Sequence, residues 1–186
     1  MKNQISLLEK KTLTALLEVA KTNLEKHPEL QPVIFAQVEG EPKPFALPVQ
    51  MKEAEHEAKA FRLFAMGETL RKMTGKKITE AVFISDTYYL TQDKNDTTPT
   101  NFPISNNPLR REAIMLCGRN STGDKRVLLM QPYTRTGDKI IFDKTPIDDT
   151  KTASTTGLLD YFFSAGEGKF SDLTNDIEYL KRHDKN

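Results

Sequence analysis

The amino-acid sequence predicts an α+β fold: a single mixed, mainly antiparallel sheet of about six strands with two main helices packed on it. Two long segments space their apolar residues as amphipathic helices do, and several β-rich runs are separated by short turns rich in Gly, Pro and Asp. A chain of 186 residues, 37% hydrophobic and 28% charged, can bury one sizeable core. We therefore expect a single domain over residues 1–150 and a C-terminal extension over 151–186, comprising a short docking helix and a polar tail.

The first predicted element is a helix over about residues 3–26. Its apolar residues form one broad face, namely Ile5, Leu8, Leu13, Leu16, Leu17, Ala20 and Leu24. The helix ends at His27-Pro28, because a residue before proline is pushed out of the helical region. Two short strands should follow at 32–38 and 44–49, with a turn between them.

A second helix is predicted over residues 51–74. A stripe of mostly small side chains along this helix would let it lie close to a sheet. Gly75 stands where a C-terminal cap belongs. The strands predicted at 77–90 and 111–117 are apolar on both faces, which is typical of strands in the interior of a sheet. These two strands should be the central ones.

The tetrapeptide Thr-Gly-Asp-Lys occurs twice, at 122–125 and 136–139, and introduces the predicted strands 126–131 and 139–143. Glycine and aspartate tolerate the backbone angles that hairpin turns require. A phosphate-binding loop would need Gly-Lys-Ser/Thr before a helix, whereas here Asp124 interrupts the Gly-Lys pair and a strand follows. The repeat therefore predicts two hairpin turns without affinity for nucleotides.

Residues 91–110 form a long polar segment between the two central strands. Segments of this length in a compact domain are either functional or mobile, and both interpretations stay open. Farther along, the apolar run 158–163 predicts a short docking helix. Residues 171–182 could form one last helix with a serine N-cap.

This order of elements resembles a loose group of uncharacterised bacterial and phage-type proteins. The likeness covers about residues 32–163, and the segments "AVFISDTYYLT", "NPLRREAIMLCGRNSTGDKRVLLMQPYTR" and "TTGLLDYFF" carry it. The resemblance implies a helix, two strands, a helix and then three to four strands. It implies no chemistry, since no function is known for the group.

Composition bears on several classes of function. The formal net charge of +1 gives no strong signal for nucleic acid, and no apolar run approaches the length of a membrane span. The single cysteine, Cys117, leaves no intrachain disulfide and lies in an apolar strand, where a reactive thiolate is disfavoured. We expect a cytoplasmic protein that needs no cofactor.

A metal site is not expected either. The segment that begins with His56-Glu57 starts like a zinc-protease helix, but Ala60 stands where the second imidazole would be needed. The other two histidines are distant in the chain. His56 is therefore interpreted as a residue of a helix surface.

One constellation remains as a candidate site, at the two ends of the long segment. Asp86, Tyr88 and Tyr89 lie at the end of one central strand, and Arg110, Arg111 and Glu112 lie at the start of the next. If the strands are antiparallel neighbours, these six residues share one edge of the sheet. Arginine beside tyrosine could hold a carboxylate or phosphate of a ligand or partner. The alternative is an Arg–carboxylate clamp that only fixes the loop ends.

Three functions stay open. The first is a small non-enzymatic accessory or binding protein that contacts an unknown protein partner through the 91–110 loop or the sheet edge. The second is a small hydrolase or nucleotide-handling enzyme with a site near Asp86, Arg110 and Glu112. The third is a structural component of an oligomeric assembly, which would involve self-association. The lack of a recognisable nucleophile, metal cluster or glycine-rich loop favours the first.

Overall fold

A computed structural model describes residues 6–50, 56–91, 107–150 and 158–164 of the chain. In chain order, the helices and strands are α1 (Lys10–Lys26), β1 (Val33–Val38), β2 (Phe45–Pro48), α2 (His56–Thr74), β3 (Ile78–Tyr89), β4 (Arg111–Asn120), β5 (Arg126–Thr136), β6 (Lys139–Phe142), β7 (Ile147–Asp148) and α3 (Leu158–Ser164). Contacts group these elements into two compact units. One unit holds α1 and the sheet, and the other holds α2 and α3.

The strands form one sheet in the order β2-β1-β3-β4-β5-β6, and the two-residue β7 pairs with β5. The pairs β1–β2, β3–β4, β4–β5, β5–β6 and β5–β7 are antiparallel. The predicted α+β class is thereby confirmed, and so is the central position of β3 and β4. The short β7 was not predicted, because two residues are too few to give a periodic pattern.

Helix α1 covers one face of the sheet, which we call the α1 face. Leu13, Leu17, Ala20 and Leu24 of the helix are buried together with the alternate strand residues Val82, Ile84, Ile114, Leu116 and Val127. Successive residues of a strand point to opposite sides, so the spacing of two along β3 and β4 selects this face. Tyr133 of β5 belongs to the same apolar core.

Helix α1 begins at Lys10, so the predicted start at residue 3 is wrong for the described residues 6–9. The cause is the carboxylate of Glu80 in β3. It accepts a hydrogen bond from Ser6 Oγ at 2.9 Å and another from the backbone N–H of Leu7 at 2.6 Å. These bonds hold the chain before α1 in a turn, and Leu7 and Leu8 are buried there.

Both Thr-Gly-Asp-Lys segments form hairpin turns, as predicted. Gly123 has φ +78° in the β4–β5 turn, and Gly137 has φ +59° in the two-residue β5–β6 turn. Among the described residues, only glycines adopt positive φ. In both turns the glycine therefore provides the positive φ, and the neighbouring aspartate does not.

Strand β5 contains Pro132, a residue that cannot donate a hydrogen bond within a ladder. Pro132 lies between the part of β5 that pairs with β7 and the part that pairs with β6. The Pro132 carbonyl accepts a bond from the backbone N–H of Asp143 at 2.9 Å. The buried side chain of Gln131 donates to the carbonyls of Pro132 and Asp143, at 3.1 and 2.8 Å. Gln131 thus holds the chain where the strand pairing is interrupted.

In the second unit, α3 packs against α2. A Cβ atom at Gly67 would lie 2.1 Å from the carbonyl oxygen of Phe162, so only glycine permits this close approach. Arg71 Nη2 donates to the same carbonyl at 3.3 Å. The predicted cap at Gly75 is present, with φ +65° and its N–H bonded to Arg71 O.

Several predictions fall outside the described residues. These concern the first turns of both predicted helices (3–5 and 51–55), residues 92–106 of the long polar segment, the tail and the helix expected at 171–182. The domain boundary expected at residue 150 stays a prediction.

Candidate functional site

The predicted site lies where β3 ends and β4 begins. The antiparallel register places Tyr88 opposite Glu112 and Tyr89 opposite Arg111. The two strands are neighbours, as the sequence-based hypothesis required, so the six candidate residues do lie at one edge of the sheet. The same register places Tyr133 of β5 opposite Glu112 on the other side.

The strand alternation divides these residues between the two faces of the sheet. Asp86, Tyr88 and Glu112 lie on the α1 face, because they continue the series of Val82, Ile84 and Ile114. Tyr89 and Arg111 lie on the opposite face. The sequence-based hypothesis treated all six as one group, whereas the structure forms two separate clusters.

A surface cleft of about 280 Å³ lies at this edge of the sheet. It is lined by Tyr88, Arg110, Arg111, Glu112, Tyr133, Thr134 and Arg135. Residues 133–135 belong to β5 and were not among the predicted site residues. The signal that could have found them is the spacing of Tyr133 and Arg135, two residues apart on one face of a strand that follows β4 through a hairpin.

Arg135 is the centre of a hydrogen-bonded group in this cleft. Its Nε donates to Glu112 Oε1 at 3.2 Å, and its Nη2 donates to the Tyr133 hydroxyl at 3.3 Å. Burial raises the pKa of Tyr133 to about 12, so its phenol is neutral at physiological pH. Glu112 is thus engaged by an arginine that the sequence-based hypothesis did not include.

Asp86 serves a neighbouring segment. Its half-buried carboxylate accepts a hydrogen bond from the backbone N–H of Leu30, in the segment that follows α1. Burial raises the pKa of Asp86, the hydrogen bond and the charge of Arg135 oppose that rise, and Glu29 adds to it. Asp86 therefore ties the chain after α1 to β3.

On the opposite face, Arg111 forms an ion pair with Asp143, with Nη2 and Oδ2 2.9 Å apart. Its guanidinium also lies 5.8 Å from the centre of the buried Tyr89 ring. Burial raises the pKa of the Tyr89 phenol. This cluster matches the clamp alternative, since it joins the start of β4 to the end of β6.

Arg110 differs from the other two arginines. Its side chain is exposed, and its guanidinium carbon lies 4.6 Å from the centre of the Tyr88 ring, a cation–π distance. Within the described part of the chain, it has no carboxylate partner. Tyr88 is 41% exposed and the adjacent Leu109 is 79% exposed. We refer to Tyr88, Leu109 and Arg110 as the Arg110 surface.

A second cleft, of about 350 Å³, lies at the other end of β3 and β4. All of its lining residues are polar: Ser6, Gln37, Thr79, Glu80, Asn120, Ser121 and Thr122. The buried Gln37 amide donates to the carbonyls of Val38 and Glu41, at 3.2 and 2.7 Å, while its Oε1 atom has no partner among the residues that the structure describes. As described above, Glu80 is used to fix the turn before α1.

Other chemistry considered from the sequence gains no support. Burial raises the pKa of the Cys117 thiol, against the influence of Arg126 and Arg119, and a protonated thiol is a weak nucleophile. Among the residues that the structure describes, no cluster of three His, Cys, Asp or Glu side chains could hold a metal ion. The side chain of His56 lies outside the described part.

Comparisons of the chain with protein-family models, with curated proteins and with solved structures found no match. The resemblance to bacterial and phage-type proteins therefore stays a prediction. In the described ranges, none of the helices has both the length and the hydrophobicity to cross a bilayer.

Proposed function

We propose that this protein is a small non-enzymatic binding protein that contacts a partner protein through the Arg110 surface. The observation that carries this proposal is the exposure of Leu109 and Tyr88 around an arginine that has no carboxylate partner among the described residues. Tyrosine and arginine are enriched among the residues that dominate binding energy at protein interfaces. An exposed leucine beside them adds apolar area that a partner can cover.

The frame beneath this surface supports the proposal. The Arg135–Glu112 pair and the Arg111–Asp143 pair join β4 to β5 and β6 on the two faces of the sheet. Binding residues commonly stand on loops held by a rigid scaffold. The Arg110 surface has that arrangement, because Leu109 and Arg110 directly precede a central strand.

The alternative of a small hydrolase or nucleotide-handling enzyme has less support. A general acid or base must be within reach of its substrate. Of the two carboxylates in that hypothesis, Glu112 is bonded to Arg135 and Asp86 is bonded to the Leu30 backbone. The third hypothesis, a component of an oligomeric assembly, predicts that the partner at this surface is a second copy of the chain.

Site-specific photo-crosslinking in cells that naturally make the protein tests the proposal. A photoreactive amino acid replaces Leu109 in one variant and Val19, an exposed residue of α1, in the control. We expect one dominant adduct from position 109 that is absent from position 19 and is lost when Arg110→Glu is added. Equal adducts from both positions, or an adduct unchanged by Arg110→Glu, would contradict the proposal. An adduct of twice the chain mass would favour the assembly hypothesis.

A further inference from the structure

We infer that the partner segment at the Arg110 surface presents a carboxylate side chain, which pairs with the Arg110 guanidinium. This inference rests on the proposed function and specifies the chemistry of the partner. Three arginines line one cleft at the start of β4.

Two of the three arginines are already neutralised by carboxylates of the chain. Arg111 is paired with Asp143 at 2.9 Å, and Arg135 is paired with Glu112 at 3.2 Å. Arg110 has only the Tyr88 ring as a partner in the described part of the chain. Among the described residues, Arg110 is therefore the one arginine of this cleft without a carboxylate, and an anionic group of a partner would balance its charge.

The cation–π contact with Tyr88 also favours recognition of a planar anion. A guanidinium lying over a ring uses one face of its plane, while its N–H groups point outward within that plane. A carboxylate can accept two parallel hydrogen bonds from such an edge. Because the ring restricts the arginine, less conformational entropy is lost when the anion binds.

The charge balance favours a carboxylate over a phosphate. A phosphate monoester carries nearly two negative charges and is bound best by several cationic or backbone donors. Of the three arginines that line this cleft, only Arg110 lacks a carboxylate among the described residues, and the Glu112 carboxylate lines the same cleft. One added negative charge matches the one available positive charge.

The test uses NMR titration of the full chain with three short acetylated and amidated peptides. The first is Ala-Leu-Glu-Leu-Ala, and in the other two glutamine or phosphoserine replaces the glutamate. We expect the glutamate peptide to shift the Arg110 Nε–H and Tyr88 ring resonances in a saturable way. The glutamine peptide should bind roughly tenfold or more weakly, as expected for the loss of a charge-assisted hydrogen bond.

Matched variants separate the chemistry from general charge effects. Arg110→Gln should weaken glutamate-peptide binding by roughly tenfold or more, and Arg110→Lys by an intermediate factor, because lysine cannot form the bidentate pair. Lys125→Gln removes one positive charge from the exposed turn at the other end of β4 and should leave binding unchanged. Unchanged melting temperatures in all three variants would show that the fold is retained.

Several outcomes would overturn the inference. They are tighter binding of the phosphoserine peptide, equal binding of the glutamine peptide, and full binding by Arg110→Gln. Binding seen only after Asp93→Asn and Asp96→Asn would also overturn it, because carboxylates of the chain itself would then be the groups that pair with Arg110. A Leu109 adduct that persists in Arg110→Gln but is lost in Arg110→Glu would leave the proposed function standing while this inference fails. The lack of any adduct from position 109 would remove the proposed function itself.

Discussion

Asp86 and Glu80 lie six residues apart in β3. Each carboxylate holds one of the two segments that flank α1 in the chain. Glu80 binds the turn before the helix, and Asp86 binds Leu30 in the segment after it. The sequence offers Asp86 as a candidate for ligand binding, and its position on the α1 face gives it a structural contact instead. Two residue-scale predictions follow from these bonds.

The first concerns pH. A carboxyl group whose pKa is raised by folding holds its proton more tightly in the folded state than in the unfolded state. Its contribution to stability is therefore present at low pH and is lost as the pH rises through the raised, folded-state pKa. Burial raises the pKa of Asp86 above the unfolded value of about 3.9. Asp86→Asn cannot titrate, yet it still offers an oxygen to the Leu30 N–H.

We therefore expect the wild type to gain stability relative to Asp86→Asn as the pH is lowered from 7 towards about 4. Urea unfolding of both proteins at several pH values measures this difference in unfolding free energy. A difference that is constant with pH, or that shrinks on acidification, would show that the burial of Asp86 does not control its titration.

The second residue-scale prediction concerns the start of α1. Glu80→Ala leaves the Ser6 hydroxyl and the Leu7 N–H without their acceptor, which should lower the unfolding free energy by about 1–3 kcal/mol. Glu80→Gln keeps one acceptor oxygen and should cost less. Chemical denaturation of both variants checks this order, and an equal loss in the two would argue against the hydrogen bonds as the cause.

At the scale of elements, two glycines act in different ways. Gly137 provides a positive φ in the β5–β6 hairpin, and no atom lies near the position that a Cβ would take. Gly67 lies within α2, and there the missing side chain makes room for Phe162 of α3. One glycine is required by backbone conformation and the other by close packing.

Gly137→Val should reduce the unfolding free energy by roughly one to a few kcal/mol through backbone strain alone. Asp138→Ala, at a neighbouring position without positive φ, should change it by less than about 0.5 kcal/mol. Thermal unfolding compares the two variants.

The same assay should show no shift of the wild-type melting temperature with ATP, because these segments are turns and not phosphate-binding loops. A shift that Lys125→Ala abolishes would support the phosphate-loop hypothesis instead.

Gly67→Ala should loosen the second unit, because its methyl group would collide with the Phe162 carbonyl at 2.1 Å. We expect faster amide hydrogen exchange throughout α3 in this variant. Thr69→Ala changes an exposed residue of the same helix and provides the control. If α3 exchanges equally slowly in both, α3 is not held by its close approach to Gly67.

At the scale of the whole molecule, the sheet order sets where the chain should be most protected. Strand β4 has a neighbour on each side, and its residues Ala113, Ile114 and Leu116 are fully buried. The edge strands β2 and β6 have four residues each and alternate between partly buried and exposed positions. Amides at the centre of β4 should therefore exchange most slowly in the sheet. Slower exchange in β6 would contradict the observed strand order.

Features that depend on local patterns were predictable from the amino-acid sequence. Apolar residues on both faces identified β3 and β4 as central, the glycines of the repeated tetrapeptide identified two hairpins, and His27-Pro28 identified the end of α1. Each depends on side chains close together in the chain, whose periodicity or backbone preference can be read directly. The sequence also predicted correctly that the six candidate residues share one edge, because the end of one strand lies beside the start of its antiparallel neighbour.

Which charged groups already have a partner within the chain depends on the three-dimensional fold. Leu7 meets a carboxylate 73 residues away, Arg111 meets Asp143 32 residues away, and Arg135 meets Glu112 23 residues away. Such pairs depend on strand register and on the face to which each residue points, and a one-residue shift would exchange every partner. The sequence shows two adjacent arginines before β4. The fold pairs Arg111 with Asp143 on one face of the sheet and leaves Arg110 over the Tyr88 ring at the other.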